Sequence, residues 1–222
     1  MTCRKPLRRR ARRPGGRRTV PGVVAVPSSR PSDYAAFYHM QGLLSRWSKI
    51  FDPGGNVGNL FYCHKRYLHF APHLVWQVYD LPKWTEERRR HVAEHGEKQL
   101  QFTRNWEDAS GADLLLVSSS LQFFDPPVYH MVAELPEKPA HILINRSPLI
   151  DGPTKATVRD DGFFRTARVH YNRGELIAAF ETIGYELIDS WQAAELSLSV
   201  VGKPEFSAAP YSGLYFRLEP QN

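Results

Sequence analysis

Residues 49–58 read Lys-Ile-Phe-Asp-Pro-Gly-Gly-Asn-Val-Gly, a short apolar run followed by an acid and a glycine-rich turn. Glycine lacks Cβ, so its backbone adopts positive φ readily and lets a ligand approach closely. A strand that ends in such a turn before a helix is typical of a nucleotide-cofactor loop. The sequence therefore predicts a cofactor loop bordered by Asp52, Gly54, Gly55, Asn56 and Gly58.

The apolar residues on either side of this loop alternate between strand and helix periodicity. Strands are predicted at 49–52, 75–79, 100–103, 113–117, 141–144, 185–191 and 211–218. Helices are predicted at 34–47, 57–70, between Thr85 and Gly96, at 126–135 and at 173–183. This order predicts an α/β fold whose sheet is mostly parallel and closes in an antiparallel pair of strands.

Length and composition limit the class of protein. At 222 residues the chain suits one α/β domain, which we place at residues 33–222. No window approaches the roughly 20 apolar residues needed to span a bilayer, so we expect a soluble protein. The only cysteines, Cys3 and Cys63, support neither a disulfide framework nor a cysteine zinc site, which favours a cytoplasmic location.

The basic charge of the chain is concentrated at one end. Residues 1–18 hold nine of the 29 Lys and Arg residues and none of the 23 acids, so the remainder is mildly acidic. We interpret residues 1–32 as a disordered basic tail and linker, or as upstream sequence outside the functional protein. The tail alone would bind nucleic acid, nonspecifically and through phosphates.

The spacing of the loop narrows the choice of cofactor. Dinucleotide oxidoreductases use G-x-G-x-x-G, whereas this chain offers Asp52-x-Gly54-x-Asn56-x-Gly58. This resembles the D-x-G-x-G-x-G motif of class I S-adenosylmethionine-dependent methyltransferases. Asn56 replaces the middle glycine, and Asn tolerates positive φ better than most residues.

The resemblance extends from about Ser48 to Leu218 and is greatest to an uncharacterised subfamily often found among bacterial surface-polysaccharide genes. Four blocks carry it in the same order: 52–55 (Asp-Pro-Gly-Gly), 118–123 (Ser-Ser-Ser-Leu-Gln-Phe), 146–148 (Arg-Ser-Pro) and 184–187 (Gly-Tyr-Glu-Leu). The chain departs from the pattern at Ser119, where glycine is more usual.

The resemblance implies a Rossmann-like methyltransferase fold, with seven strands and the last inserted antiparallel. It implies S-adenosyl-L-methionine as cofactor, S-adenosyl-L-homocysteine as product, and methyl transfer to an O or N atom of a small molecule or glycan precursor. Asp80 ends the second strand at about the 20-residue distance where a carboxylate accepts ribose hydrogen bonds. Further cofactor contacts are expected from Leu81, Trp106, Ser118 and Ser119.

Polar residues after the later strands are candidates for the acceptor side. His170 is the first choice for a general base because its pKa lies near neutral pH, and Gln122 and Tyr171 are further catalytic candidates. Arg146, Tyr129 and His130 are candidates for substrate binding, and the loops of 149–171 would form the pocket. The other histidines show no metal-ligand spacing, so no metal is predicted.

Other functions remain open on the same sequence. Asn56 and Ser119 keep alive a non-catalytic member that binds the cofactor or works as a partner subunit. An RNA-binding or RNA-modifying protein would use the arginine tail. A Rossmann dehydrogenase fits least, since it usually brings a substrate domain for which this chain has no room.

Overall fold

A computed structural model describes residues 28–80, 97–160, 165–200 and 202–220, with the side chains of 159 and 160 excepted. The basic tail, most of the linker, Leu81 and the helix predicted between Thr85 and Gly96 lie outside the described residues.

Seven of the strands in the described part form one sheet, in the order β3-β2-β1-β4-β5-β9-β8. The first five pair in parallel, whereas β9 pairs antiparallel with both β5 and β8. The predicted α/β class and the antiparallel insertion are therefore confirmed. The strands of this sheet are β1 Lys49–Pro53, β2 Val75–Tyr79, β3 Leu100–Thr103, β4 Leu114–Ser118, β5 His141–Ser147, β8 Tyr185–Ala193 and β9 Tyr211–Leu218.

The α-helices of the described residues are α1 Pro31–Gln41, α2 Asn59–His64, α3 Val128–Ala133 and α4 Arg173–Thr182. Three are shorter than the sequence predicts. The predicted start of α2 at 57 is wrong because Gly58 is left-handed and caps the helix, and α3 starts at Val128 because Pro127 is its extended N-cap. None of these helices is long and apolar enough to cross a bilayer.

Two apolar layers cover the sheet, one on each face. Leu114 and Leu116 of β4 pack with α1 and α2, whereas Leu115 and Val117 pack with α3 and α4. This two-residue alternation explains why β4 reads as a continuous apolar run, since both of its faces are buried.

The predicted loop at 149–171 contains a hairpin, which is a correction to the sequence prediction. Strands β6 Lys155–Asp160 and β7 Arg165–His170 pair antiparallel with each other and stand apart from the main sheet. Their alternation of small apolar and charged residues is weak because much of the hairpin is exposed, so the strand signal was missed.

Asn145 links three elements inside the fold. The residue is 1% exposed and lies on β5, where its Nδ2 donates to the Ser32 carbonyl of α1 at 3.3 Å. Trp191 Nε1 of β8 donates to its Oδ1 at 3.1 Å. The amide therefore fixes the start of α1 over the carboxyl end of the sheet.

Asn172 joins the hairpin segment to α4, and this generates a test of stability. Its Oδ1 accepts from the Glu175 N–H, and its Nδ2 donates to the carbonyls of Asp151 and Gly152. We expect Asn172→Ala to lower the free energy of unfolding by about 2–3 kcal/mol in urea titrations. Asn172→Ser keeps the cap acceptor and should lose roughly half as much; equal losses would show that the cap contributes little.

Candidate functional site

A cleft of about 200 Å³ opens where the carboxyl ends of β1, β4 and β5 meet. Crevices at this edge are where ligands bind in open α/β sheets. Six residues predicted from the sequence line the cleft: Gly54, Gly55, Asn56, Ser118, Ser119 and Arg146.

The backbone around the cleft is unusual. Among the described residues, three other than glycine have positive φ: Asn56 at 57°, Ser119 at 61° and Arg146 at 55°. All three line this cleft, one after each of the three converging strands. Such conformations cost on the order of 1–3 kcal/mol each and cluster at functional sites. The strain therefore marks this cleft as the candidate site.

The glycines of the loop after β1 are required by close packing. A Cβ on Gly54, whose φ is +79°, would lie 2.6 Å from Ser120 Cβ, and the Gly54 N–H donates to the Tyr79 carbonyl. A Cβ on Gly55 would lie 2.3 Å from Asp52 Oδ2. The loop is thus drawn against its neighbours, and its backbone faces the cleft without intervening side chains.

Asp52 lies beneath this loop and is not among the residues that line the cleft. It is 1% exposed, and Trp76 Nε1 donates to its Oδ2 at 3.1 Å. Burial raises its pKa from 3.8 to about 7, although the hydrogen bond from Trp76 and the charge of Arg146 act in the opposite direction. The carboxyl therefore supports the loop from below and titrates near neutral pH.

His64 lies beside the same indole ring. It is 1% exposed, its ring stands edge-on to those of Phe37 and Trp76, and neither ring nitrogen has a hydrogen-bond partner. Burial, with a contribution from the charge of Arg146, lowers its pKa from 6.5 to about 3. The imidazole is therefore neutral in the folded protein.

Arg146 connects the cleft to α1. It is 7% exposed; its Nη1 lies 3.2 Å from Asp33 Oδ1, and its Nη2 donates to Ser118 Oγ at 2.8 Å. Burial lowers its pKa, an effect that the charge of Asp33 opposes. Ser32 also donates to Glu195, so the start of α1 is held across the cleft by polar contacts.

The remaining predicted cofactor residues lie around the cleft and not in its lining. Gly58 is buried and caps α2, where a Cβ would meet Leu100. Asp80 follows β2 at the same edge, and its charge raises the pKa of Asp52. Trp106 packs against Phe51 and donates from Nε1 to the Met131 carbonyl.

The predicted acceptor residues, apart from Arg146, gather beyond Ser119. Gln122 Nε2 donates to the Ser119 carbonyl at 3.0 Å, and Tyr171 lies in edge-to-face contact with Tyr129. His170 is 3% exposed on β7, which packs against the turn Leu121–Phe123. His130 is exposed on α3 and contacts the ring of Tyr129.

Sequence reasoning missed several residues of the cleft, namely Arg30, Asp33, Asn59, Leu60 and Cys63. The first two precede or begin α1, which we had interpreted only as a helix that packs beneath the sheet. The available signal was the polar Arg-Pro-Ser-Asp stretch at 30–33 directly before an apolar helix. It indicates a helix start but gives no indication of which loop lies beside it.

No protein-family model and no curated protein matches this chain. Solved structures do match. The mitomycin 7-O-methyltransferase MmcR is 18% identical with a TM-score of 0.53, over 85% of this chain and 52% of that one. The chain thus spans about half the length of that enzyme.

Two further structures match over most of both chains. The Burkholderia thailandensis 1,6-didemethyltoxoflavin-N1-methyltransferase, solved with S-adenosylhomocysteine, is 14% identical with a TM-score of 0.56, over 86% and 80% of the chains. The [4+2]-cyclase SpnF is 11% identical with the same score, over 86% and 82%. These similarities show the Rossmann-like methyltransferase fold.

The packing of Gly54 predicts a large cost of adding a side chain. Gly54→Ala combines positive φ with a clash against Ser120, whereas Gly202 has φ +72° and nothing within 4 Å of a built Cβ. We expect Gly54→Ala to lower the free energy of unfolding by about 3 kcal/mol and Gly202→Ala by about 1 kcal/mol in urea titrations. Equal losses in the two variants would contradict the clash.

Asp52 and His64 predict opposite pH dependences of stability. Between about pH 4 and 6.5, folded Asp52 keeps a proton that the unfolded chain loses, so the free energy of unfolding falls as pH rises. Over the same interval the unfolded chain protonates His64 and the folded chain does not, so the free energy rises. Each slope is at most about 1.4 kcal/mol per pH unit, and the two largely cancel.

We expect the variants to separate these slopes. Relative to wild type, the free energy of unfolding of Asp52→Asn should rise with pH across this interval, and that of His64→Phe should fall. Urea unfolding at about pH 4.5, 5.5 and 6.5 measures both. Curves parallel to that of wild type would show that neither group titrates as the burial implies.

Proposed function

We propose that this protein is an S-adenosylmethionine-dependent methyltransferase that transfers a methyl group to an oxygen or nitrogen atom of a small molecule. The observation that carries the proposal is the convergence of three left-handed, non-glycine turns on one cleft at the carboxyl ends of β1, β4 and β5. The resemblance of its sequence blocks extends the proposal to a glycan precursor as acceptor and to a cytoplasmic location.

The residues of the cleft fit one end of the cofactor. Its volume of about 200 Å³ is below the roughly 300–1,000 Å³ of sites that enclose a whole small molecule. The methionine end would lie against the backbone of Gly54, Gly55 and Asn56, opposite Ser118 and Ser119. The ribose would extend along the sheet edge towards Asp80, with Leu81 and Trp106 on the side of the adenine. Asp52 and Gly58 would hold the loop in shape.

The departures from the glycine-rich pattern do not remove the turns that the cofactor needs. Asn56 and Ser119 stand where glycine is more usual, yet both have positive φ in the structure. This supports a site that binds the cofactor. It argues against the reading in which these two substitutions have abolished binding.

When bound, S-adenosylmethionine supplies an electrophilic methyl group on a sulfonium, so the protein must position the acceptor and exclude water. We assign the acceptor side to Gln122, His170 and Tyr171, with Tyr129 and His130 at its border. Arg146 would orient the acceptor from the cleft. Burial lowers the pKa of His170, so the imidazole is neutral and able to take a proton.

A second candidate is a protein of the same fold that binds the cofactor but catalyses a different reaction or none. The similarity to a [4+2]-cyclase favours it, because one fold hosts several chemistries. Cofactor binding without turnover on any acceptor would support it. An RNA-directed role would depend on residues 1–18 and would be lost when they are deleted.

Calorimetric titration of S-adenosylhomocysteine tests the proposal. We expect a dissociation constant in the micromolar range, weakened about tenfold or more in Gly54→Val and in Asp80→Ala. Asp151→Ala, an exposed aspartate away from the cleft, is the matched control and should bind as wild type does. Absence of binding to a folded wild-type protein would overturn the proposal.

A further inference from the structure

Four buried polar atoms without hydrogen-bond partners lie in adjoining residues beside the hairpin β6–β7. They are Gln122 Oε1, Arg168 Nε, His170 Nδ1 and the Tyr171 hydroxyl, half of the eight such atoms among the described residues. Gln122, His170 and Tyr171 are each more than nine-tenths buried. An unpaired buried polar atom costs about 1–3 kcal/mol, so four in one place indicate groups that a ligand satisfies.

The hairpin brings these atoms to one side. Thr157 of β6 is paired with Arg168 of β7, so both side chains lie on one face, and His170 lies two residues further along that face. His170 Nε2 and Thr157 Oγ1 share a hydrogen bond of 2.8 Å. The Arg168 guanidinium lies 5.2 Å from the centre of the Phe123 ring. This face of the hairpin therefore packs on the turn that carries Gln122.

The chamber adjoins the cofactor cleft. The Gln122 amide donates to the carbonyl of Ser119, which lines the cleft, so one side chain borders both spaces. Tyr171 borders the chamber from the other side. Burial and the neighbouring Tyr129 and Asp125 raise its pKa to about 12, so its hydroxyl keeps its proton and is a donor.

We propose that this chamber binds an aromatic hydroxy acid, a planar ring with a hydroxyl and a carboxylate, as the methyl acceptor. The inference rests on the proposed function and names the substrate class of that site. The chain's own unsatisfied atoms match such a ligand in number and type. Arg168 Nε and the Tyr171 hydroxyl are donors for a carboxylate, and Gln122 Oε1 is an acceptor for a hydroxyl.

The surroundings favour a flat anionic ligand over a neutral sugar. Phe123 is 45% exposed, and with the Arg168 guanidinium it forms a planar surface on which a ring can stack. The charge of Arg168 also lowers the pKa of His170, which shows that this cation lies close to the imidazole. Lys155 and Arg165 add positive charge on the same hairpin.

Thr157 is the positioning residue for His170. When Nε2–H donates to Thr157 Oγ1, the lone pair of Nδ1 faces the chamber. The acceptor hydroxyl gives its proton to Nδ1, and its oxygen electron pair forms the new bond to the methyl carbon. The imidazolium returns that proton to water after the product leaves, so His170 ends each cycle neutral.

Titration of 2-, 3- and 4-hydroxybenzoate, in the presence of S-adenosylhomocysteine, tests the ligand class. We expect at least one isomer to bind tenfold or more tightly than benzoate, phenol and methyl glucoside. Arg168→Gln should abolish this preference. Arg165→Gln removes the same charge from the opposite face of β7 and should not. Equal binding of all probes, or binding of none, would overturn the proposal.

Long-range proton–nitrogen spectra of the imidazole test the role of Thr157. We expect His170 to carry its proton on Nε2 in wild type and to become a mixture of tautomers in Thr157→Val, with hydroxybenzoate affinity reduced severalfold and the fold unchanged. A proton on Nδ1 in wild type would exclude His170 as the proton acceptor.

The same titrations separate the two proposals. Binding of S-adenosylhomocysteine without any hydroxybenzoate preference would refute the acceptor class and leave the methyltransferase proposal standing. Hydroxybenzoate binding without S-adenosylhomocysteine binding would refute the methyltransferase proposal and leave the chamber as a site of another kind. Loss of both would refute both.

Discussion

Close convergence of three strand ends is the constraint on which the rest of this structure depends. The chain must leave β1, β4 and β5 by sharp turns within one small space, and each turn contains a left-handed residue, Asn56, Ser119 or Arg146. Strain of on the order of 1–3 kcal/mol per residue is retained only where the surrounding structure fixes the backbone. Here the fixing contacts are the packing of Gly54 on Ser120 and the burial of Asp52 beneath Gly55.

The start of α1 depends on the same region. Asn145 and Arg146 are adjacent on β5, and they hold Ser32 and Asp33 of the helix through an amide and a guanidinium. The apolar residues Phe37 and Met40 then bury the helix against the sheet. Polar contacts therefore fix where the helix begins, and apolar burial provides most of the free energy that keeps it there. The cleft is bounded on one side by a helix whose position is set by the strand end it covers.

The structure separates two kinds of site that the sequence had merged into one list. The cleft is bounded by backbone and by a charged network, as suits a ligand held by position. The chamber beside the hairpin is bounded by side chains whose polar atoms have no partner in the protein, as suits a ligand recognised by hydrogen bonds. Gln122 borders both. This division agrees with a fold that hosts many reactions, because the sheet positions the first site and variable insertions build the second.

The sequence by itself determined the order of strands and helices and the loop after β1. Apolar periodicity and glycine spacing are local properties, so Val75–Tyr79, Leu100–Thr103 and Tyr211–Leu218 were located from the residues alone. The sequence also singled out Gly54, Ser119 and Arg146, but it did not show that Asp33 pairs with Arg146 or that β6 and β7 form a hairpin beside Gln122. Those facts depend on contacts between segments more than 30 residues apart or on strands too exposed to leave a pattern. Which polar groups are buried without a partner is a property of packing, and only the tertiary structure decided it.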